Sequence, residues 1–169
     1  MIPASPWVER YIGHIQRTGS VLDLACGNGR HTRLLADRGY PVLAVDRDAQ
    51  GLAGLRGIPG VTTAKLDLEG DDWPLVGQSF AGIVVTNYLW RPRLADLLAL
   101  LAPGGVLIYE TFMVGNESYG KPSNPDFLLR SGELRTVAAL AGLREIAFEE
   151  GYTASPKPAM RQAICAVRD

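Results

Sequence analysis

The run Val21-Leu22-Asp23-Leu24-Ala25-Cys26-Gly27-Asn28-Gly29-Arg30 constrains this chain more than any other. An apolar strand pattern passes into a turn of small residues. A helical pattern carried by Leu34 and Leu35 begins at once and stops at Gly39. A strand that enters a helix through such a turn is the first half of a parallel crossover unit. Open sheets made of these units bind ligands beyond the carboxyl ends of their strands, where the strand order reverses. A turn built on Gly27 and Gly29 lets the backbone come close to a ligand.

The same alternation continues along the chain. Strands are predicted over residues 20–26, 41–45, 61–66, 80–86 and 106–111. The helix over 48–56 is weakened by Gly51 and Gly54, and a Leu-rich helix opens at Pro92. Residues 80–86 are nearly all apolar, as a strand buried on both faces requires. Ser5 and Pro6 cap and start an amino-terminal helix bearing Trp7, Tyr11 and Ile15, and Ser131 is placed to cap a helix ending at Gly142. Two last strands, 143–150 and 161–168, are joined by a loop alone, which makes them antiparallel. The sequence therefore reads as a single α/β domain over residues 1–169. Its expected core is a doubly wound, mostly parallel seven-stranded sheet with helices on both faces and a reversed last strand.

Composition narrows the choice of partners. A chain of 169 residues that is 47% hydrophobic can bury a conventional core without disulfides or metals. A formal net charge of -1 disfavours a domain that grips nucleic-acid backbone. Cys26 and Cys165 sit in apolar runs and form no Cys-x-x-Cys pair, so they read as reduced, buried thiols. With only His14 and His31 beside them, no metal site is expected. The stretch from Met1 to Pro6 has no signal-peptide pattern and no apolar run reaches membrane-spanning length, which points to a cytoplasmic protein.

Each of the first three strands carries one acidic residue near its end: Asp23, Asp46 and Asp67. Asp46 lies at the distance from the glycines where a ribose-binding carboxylate is expected, and its two ionised oxygens can accept from two vicinal hydroxyls. Two glycines alone would be explained by a tight turn, and Asp46 alone by capping of the next helix. Three acids on three successive strands exceed that explanation.

The segment Asp23-Leu24-Ala25-Cys26-Gly27-Asn28-Gly29 resembles the first motif of class I S-adenosylmethionine-dependent methyltransferases, acidic-x-Gly-x-Gly-x-Gly, with Ala25 replacing the first glycine. The resemblance implies S-adenosylmethionine as cofactor. It places Asp23 and the turn Ala25, Cys26, Gly27, Asn28 and Gly29 against the methionine part, Asp46 on the ribose hydroxyls and Arg47 beside adenine. Asp67 and the backbone of Leu68 would then recognise the adenine amino group, and Asn87 would lie next to the methionine end and the acceptor. The run from Leu101 to Ile108 resembles the family's turn into the fifth strand, and the small size is similar to the tellurite-resistance type. Two departures stand out. Arg47 replaces a residue that is often hydrophobic, and Asn87-Tyr88-Leu89-Trp90 lacks the Pro-Pro of enzymes that methylate nucleobase amino groups.

Two rival readings stay open at this point. A nicotinamide-dependent oxidoreductase asks for a third small residue where Thr32 stands, and has no need of Asp23. A methyltransferase-like subunit that serves a partner chain would share every motif above. For the enzyme, the acceptor is expected to be a small molecule enclosed by residues 112–130 and 151–159. The first of these is too long to be a plain connection and carries Phe112, Met113, Tyr119, Phe127, Leu128 and Leu129. Tyr88, Asn116 and Lys121 are the substrate-binding candidates. No catalytic base is assigned: Asn87, Tyr88 and Glu110 stand at strand ends, and His31 reads as a solvent-side helix residue.

Overall fold

The computed structural model describes residues 2–169. Met1, the first residue of the stretch read as lacking a signal peptide, lies outside the described residues. Seven strands form one sheet: β1 (Val21–Leu24), β2 (Val42–Asp46), β3 (Val61–Lys65), β4 (Phe80–Thr86), β5 (Leu101–Phe112), β6 (Arg144–Thr153) and β7 (Ala159–Val167). Their order is β3-β2-β1-β4-β5-β7-β6. The first five run parallel, and β7 is antiparallel to both neighbours. The expected reversed last strand is present, inserted between β5 and β6, so that β6 forms the edge.

Alternation along the central strands feeds two cores. Leu22, Ile83, Val85, Leu107 and Ile164 point to one face. There they meet α4 (Leu94–Leu98) and α5 (Glu133–Leu140) through Leu94, Leu97, Leu134 and Ala138. Val21, Val84, Ile108 and Cys165 point to the other face, toward α1 (Pro6–Tyr11) and α2 (Arg30–Asp37) through Trp7, Val8 and Leu35. Burial on both faces is why these strands read as continuous apolar runs.

The weak helix over 48–56 is a short α3 (Ala49–Ala53). Its Gly51 packs so tightly that an added Cβ would stand 2.6 Å from the Gly27 carbonyl oxygen. The glycine that lowers helix propensity therefore lets the helix press against the turn after β1. Two local expectations need correction. Ser131 does not cap α5: Gly132, at φ 70°, takes the cap position, and the Ser131 hydroxyl donates to Glu150 at 2.7 Å. The helix opening at Pro92 starts as a 3-10 turn over Arg91–Arg93 before α4.

Candidate active site

β1 and β4 lie side by side where the strand order reverses, and both end in residues of left-handed backbone, Ala25 at φ 53° and Asn87 at φ 55°. A side chain with a Cβ rarely adopts that conformation, and such residues gather at functional sites. Both line a cavity of about 380 Å³ at the carboxyl edge of the sheet. Its other walls include Asp46, Arg47, Asp67, Leu68 and Glu69 after β2 and β3, Tyr88 and Leu89 after β4, and Thr111, Phe112, Pro122 and Phe127 from β5 and its loop.

Half of the candidate site residues thus share one wall: Ala25, Asp46, Arg47, Asp67, Leu68, Asn87 and Tyr88. Asp46 is held firmly, with one carboxylate oxygen accepting from the Gly27 N–H at 2.9 Å and the other from the Asp48 N–H at 2.8 Å. Each oxygen keeps a further acceptor position. Asp67 accepts from the Glu69 N–H at 2.9 Å, which fixes its loop in the same way. Cys26, Gly27, Asn28 and Gly29 form the turn without lining the cavity, and burial pushes the Cys26 thiol above its usual range. Burial likewise raises the Tyr88 phenol, whose hydroxyl donates to Glu69 at 3.1 Å, and keeps it neutral.

Three further candidates lie off the wall. Asp23 is 2% exposed beneath the turn, where it accepts from the Thr32 hydroxyl at 2.7 Å. This pair clamps strand to helix, and it occupies the position where a nicotinamide site would need a small residue. Asn116 is buried and spent: its amide donates to the Pro122 carbonyl at 2.9 Å and accepts from the Met160 N–H at 3.1 Å. It organises the loop and does not line the cavity. Lys121 is exposed, with its ammonium 3.4 Å from the Ser123 hydroxyl.

Burial pushes the Asp23 carboxyl up to about 7, partly offset by the Thr32 hydrogen bonds. A raised acid binds its proton more tightly in the folded state than in the unfolded one. Its contribution to stability is therefore fully present below pH 4 and lost as pH rises toward 7. Asp23→Asn keeps an acceptor for Thr32 and removes the charge. Chemical denaturation between pH 4 and 8 is expected to show a flatter profile in the variant, by at most about 4 kcal/mol. Parallel profiles would mean that Asp23 titrates normally.

A polar cluster that the sequence reading missed adjoins the cavity behind Asn87 and Phe112. His31, far from facing solvent, is 2% exposed. Its Nε2 accepts from the Ser5 N–H at 2.9 Å, and its Nδ1 stands 3.3 Å from the Thr86 hydroxyl. Burial, then the charge of Arg30, lowers it to about 3, so the ring is neutral. Ser5, which caps α1 as expected, donates its hydroxyl to Glu110 at 2.6 Å. Arg161 donates to the Asn87 side-chain oxygen at 2.6 Å and lies 4.6 Å from the centre of the Phe112 ring. Its sequence signal was a cation inside an apolar strand. A reversed strand brings its amino end, not its carboxyl end, to this edge.

Residues 112–130 roof the cavity through Phe112, Pro122 and Phe127. Arg91 ties this segment down by pairing with both oxygens of Glu133, at 2.7 and 2.8 Å, and by donating to the carbonyls of Asp126 and Leu128 at 3.0 and 2.6 Å. Residues 151–159, expected to share the roof, contribute no wall. Tyr152 instead packs on Tyr119 at 5.4 Å and supports the segment from behind. Among the described residues, no cluster is suited to a metal ion and no helix is long and apolar enough to cross a membrane.

Comparison with known proteins places these features in context. A sequence model described as a methyltransferase domain matches residues 21–105, half of the chain. The chain is 35% identical over 139 residues to trans-aconitate 2-methyltransferase of Azoarcus sp. (strain BH72), covering 76% of this chain and 50% of that protein. It therefore spans about half the length of that curated relative. The TehB structure from Haemophilus influenzae superposes with a TM-score of 0.78 at 19% identity, over 96% of this chain and 61% of that one. An S-adenosylmethionine-dependent methyltransferase from Mesorhizobium loti gives a TM-score of 0.75 at 19% identity over 96% of both chains. At these identities the structures speak for the fold.

Proposed function

Because the chain belongs to the methyltransferase-domain family, as a class I S-adenosylmethionine-dependent member, we propose that it methylates a small acceptor enclosed between the strand ends and residues 112–130. One observation carries this reading: a roofed cavity at the reversal of strand order, lined by three carboxylates and by aromatic side chains. The donor set fits the cofactor. Asp46 is anchored by two backbone N–H groups and retains acceptor positions suited to a vicinal diol. Asp67 and Glu69 make that end of the cavity acidic, which suits the hydroxyl and amino donors of an adenosine.

In this reading Asp46 would hold the ribose, Asp67 and the Leu68 backbone the adenine, and the turn from Ala25 to Gly29 the methionine end, with Arg47 beside adenine and Asn87 facing the acceptor. When bound, the cofactor supplies a methyl group already activated on sulfonium sulfur. The protein's work is alignment: it must hold the acceptor atom about 3–3.5 Å from the methyl carbon, in line, with water excluded. Leu66, Leu89, Phe112 and Phe127 supply the apolar walls for that exclusion. Tyr88 is neutral and Glu110 already has partners, so neither is assigned the role of base.

Calorimetry should show binding of S-adenosylmethionine and S-adenosylhomocysteine and none of NAD. Hydrogen exchange in the same samples should slow across residues 112–130 when S-adenosylhomocysteine is added. Tight NAD binding without a response to the sulfonium compound would overturn the cofactor. Unchanged exchange across the roof would remove the support for an enclosed, small acceptor.

A further inference from the structure

We propose that the groove between α4 and α5 is a second binding site and that it takes a free aliphatic carboxylic acid, with the chain along the groove and the carboxylate on Arg168. This second site does not depend on the methyl-transfer reading. The groove encloses about 680 Å³ and shares no wall residue with the cavity at the strand ends. That volume falls within the roughly 300–1,000 Å³ of small-molecule sites, which are mostly apolar and carry a few placed polar groups.

Residue choice on the two helices opens the groove. Ala95 and Ala99, four apart, share one exposed face of α4 and are too small to close the gap to α5. Val137 and Leu140 line it from α5, and the buried Leu94 and Leu101 line it too. Leu140 is 84% exposed, so the groove leaves apolar surface in water that an aliphatic chain would cover. α5 has eight residues, so the groove beside it runs about 12 Å, long enough for the tail of a medium-chain acid.

Charge selects the head group. At the amino ends of the helices the wall carries Arg91 and Glu133, which neutralise each other through two bonds of 2.7 and 2.8 Å. At the carboxyl ends it carries Arg168, which donates to the carbonyls of Leu98 at 2.8 Å and Ala141 at 3.2 Å. Those carbonyls hold the guanidinium in place, but a helix end brings only partial charge. Arg168 forms no ion pair among the described residues, and the neighbouring Asp169 pairs with Arg144 instead. The wall therefore carries one unbalanced positive charge, which matches one carboxylate. The fork of a guanidinium has five N–H donors, and Arg168 spends two of them on the protein.

Calorimetry with decanoate below its micelle concentration tests the site, with 1-decanol as the uncharged probe. Decanoate should bind once per chain, and decanol at least roughly 10-fold more weakly. Arg168→Gln should weaken decanoate binding roughly 10- to 150-fold. Ala95→Trp, which fills the groove and removes no side-chain hydrogen bond, should abolish it. Parental affinity for S-adenosylhomocysteine shows that a variant folds, and if Arg168→Gln fails to fold, Ala95→Trp decides. No binding of decanoate, equal binding of decanol, or undiminished binding in Ala95→Trp would overturn the acid site. A dimer of the parent in sedimentation equilibrium that Ala95→Trp dissolves would overturn it too, because a second copy would then cover the groove.

Discussion

Replacing Asp46 with alanine is expected to weaken S-adenosylhomocysteine binding by roughly 10- to 1000-fold. The carboxylate would contribute two charge-assisted hydrogen bonds to the ribose, each worth about 1.5–3 kcal/mol, and a factor of ten corresponds to about 1.4 kcal/mol. The structure adds a second source of loss. Asp46 also accepts from the N–H groups of Gly27 and Asp48, so alanine releases the turn after β1. Asp46→Asn separates the two effects. Its side-chain oxygen can still accept from one backbone N–H, while the charge is gone, and it should bind with an affinity between parent and alanine. Calorimetry at fixed ionic strength decides the matter, and parental affinity in the alanine variant would mean that the carboxylate does not hold the ribose.

Gly29→Ala should cost about 2–5 kcal/mol of stability, which for a domain of this size lowers Tm by about 4–20 °C. Two penalties add. Gly29 has φ 84°, a conformation that costs an L residue about 1–2 kcal/mol. A Cβ there would also fall within 2.9 Å of three side-chain atoms of Leu55, which is fully buried. Gly27→Ala is the matched control. Its φ of 56° imposes strain, but a Cβ would meet nothing within 4 Å, so only the first penalty applies. Differential scanning calorimetry of both variants tests the reading. Equal losses in Tm would show that packing against Leu55 contributes nothing.

Much of the frame was legible because burial on both sheet faces writes a plain signal. Residues 80–86 were read as a strand with the bounds that the structure has. The turn after β1 and the acids Asp46 and Asp67 were also legible, since strand, turn and helix are contiguous and a strand end fixes which edge a residue occupies. Asp23 was placed one layer wrong. It lies on the strand that leads into the turn, yet its side chain is buried against Thr32.

The sequence by itself determined the doubly wound sheet and the acids at the carboxyl ends of its strands, because local periodicity and the right-handed crossover leave few alternatives. Only the tertiary structure decided the polar cluster behind Asn87 and Phe112. Ser5, His31, Glu110 and Arg161 come from four separate elements, and Ser5 and Glu110 lie 105 residues apart. Asn116 looked like a free polar group in a loop, and its partners, Pro122 and Met160, are set by how that loop folds over β7. Contacts between distant segments depend on which strands become neighbours. The antiparallel pairing of β6 with β7 was legible from the loop that joins them, but the insertion of β7 beside β5, which brings it to this edge, is encoded by no local pattern of residues.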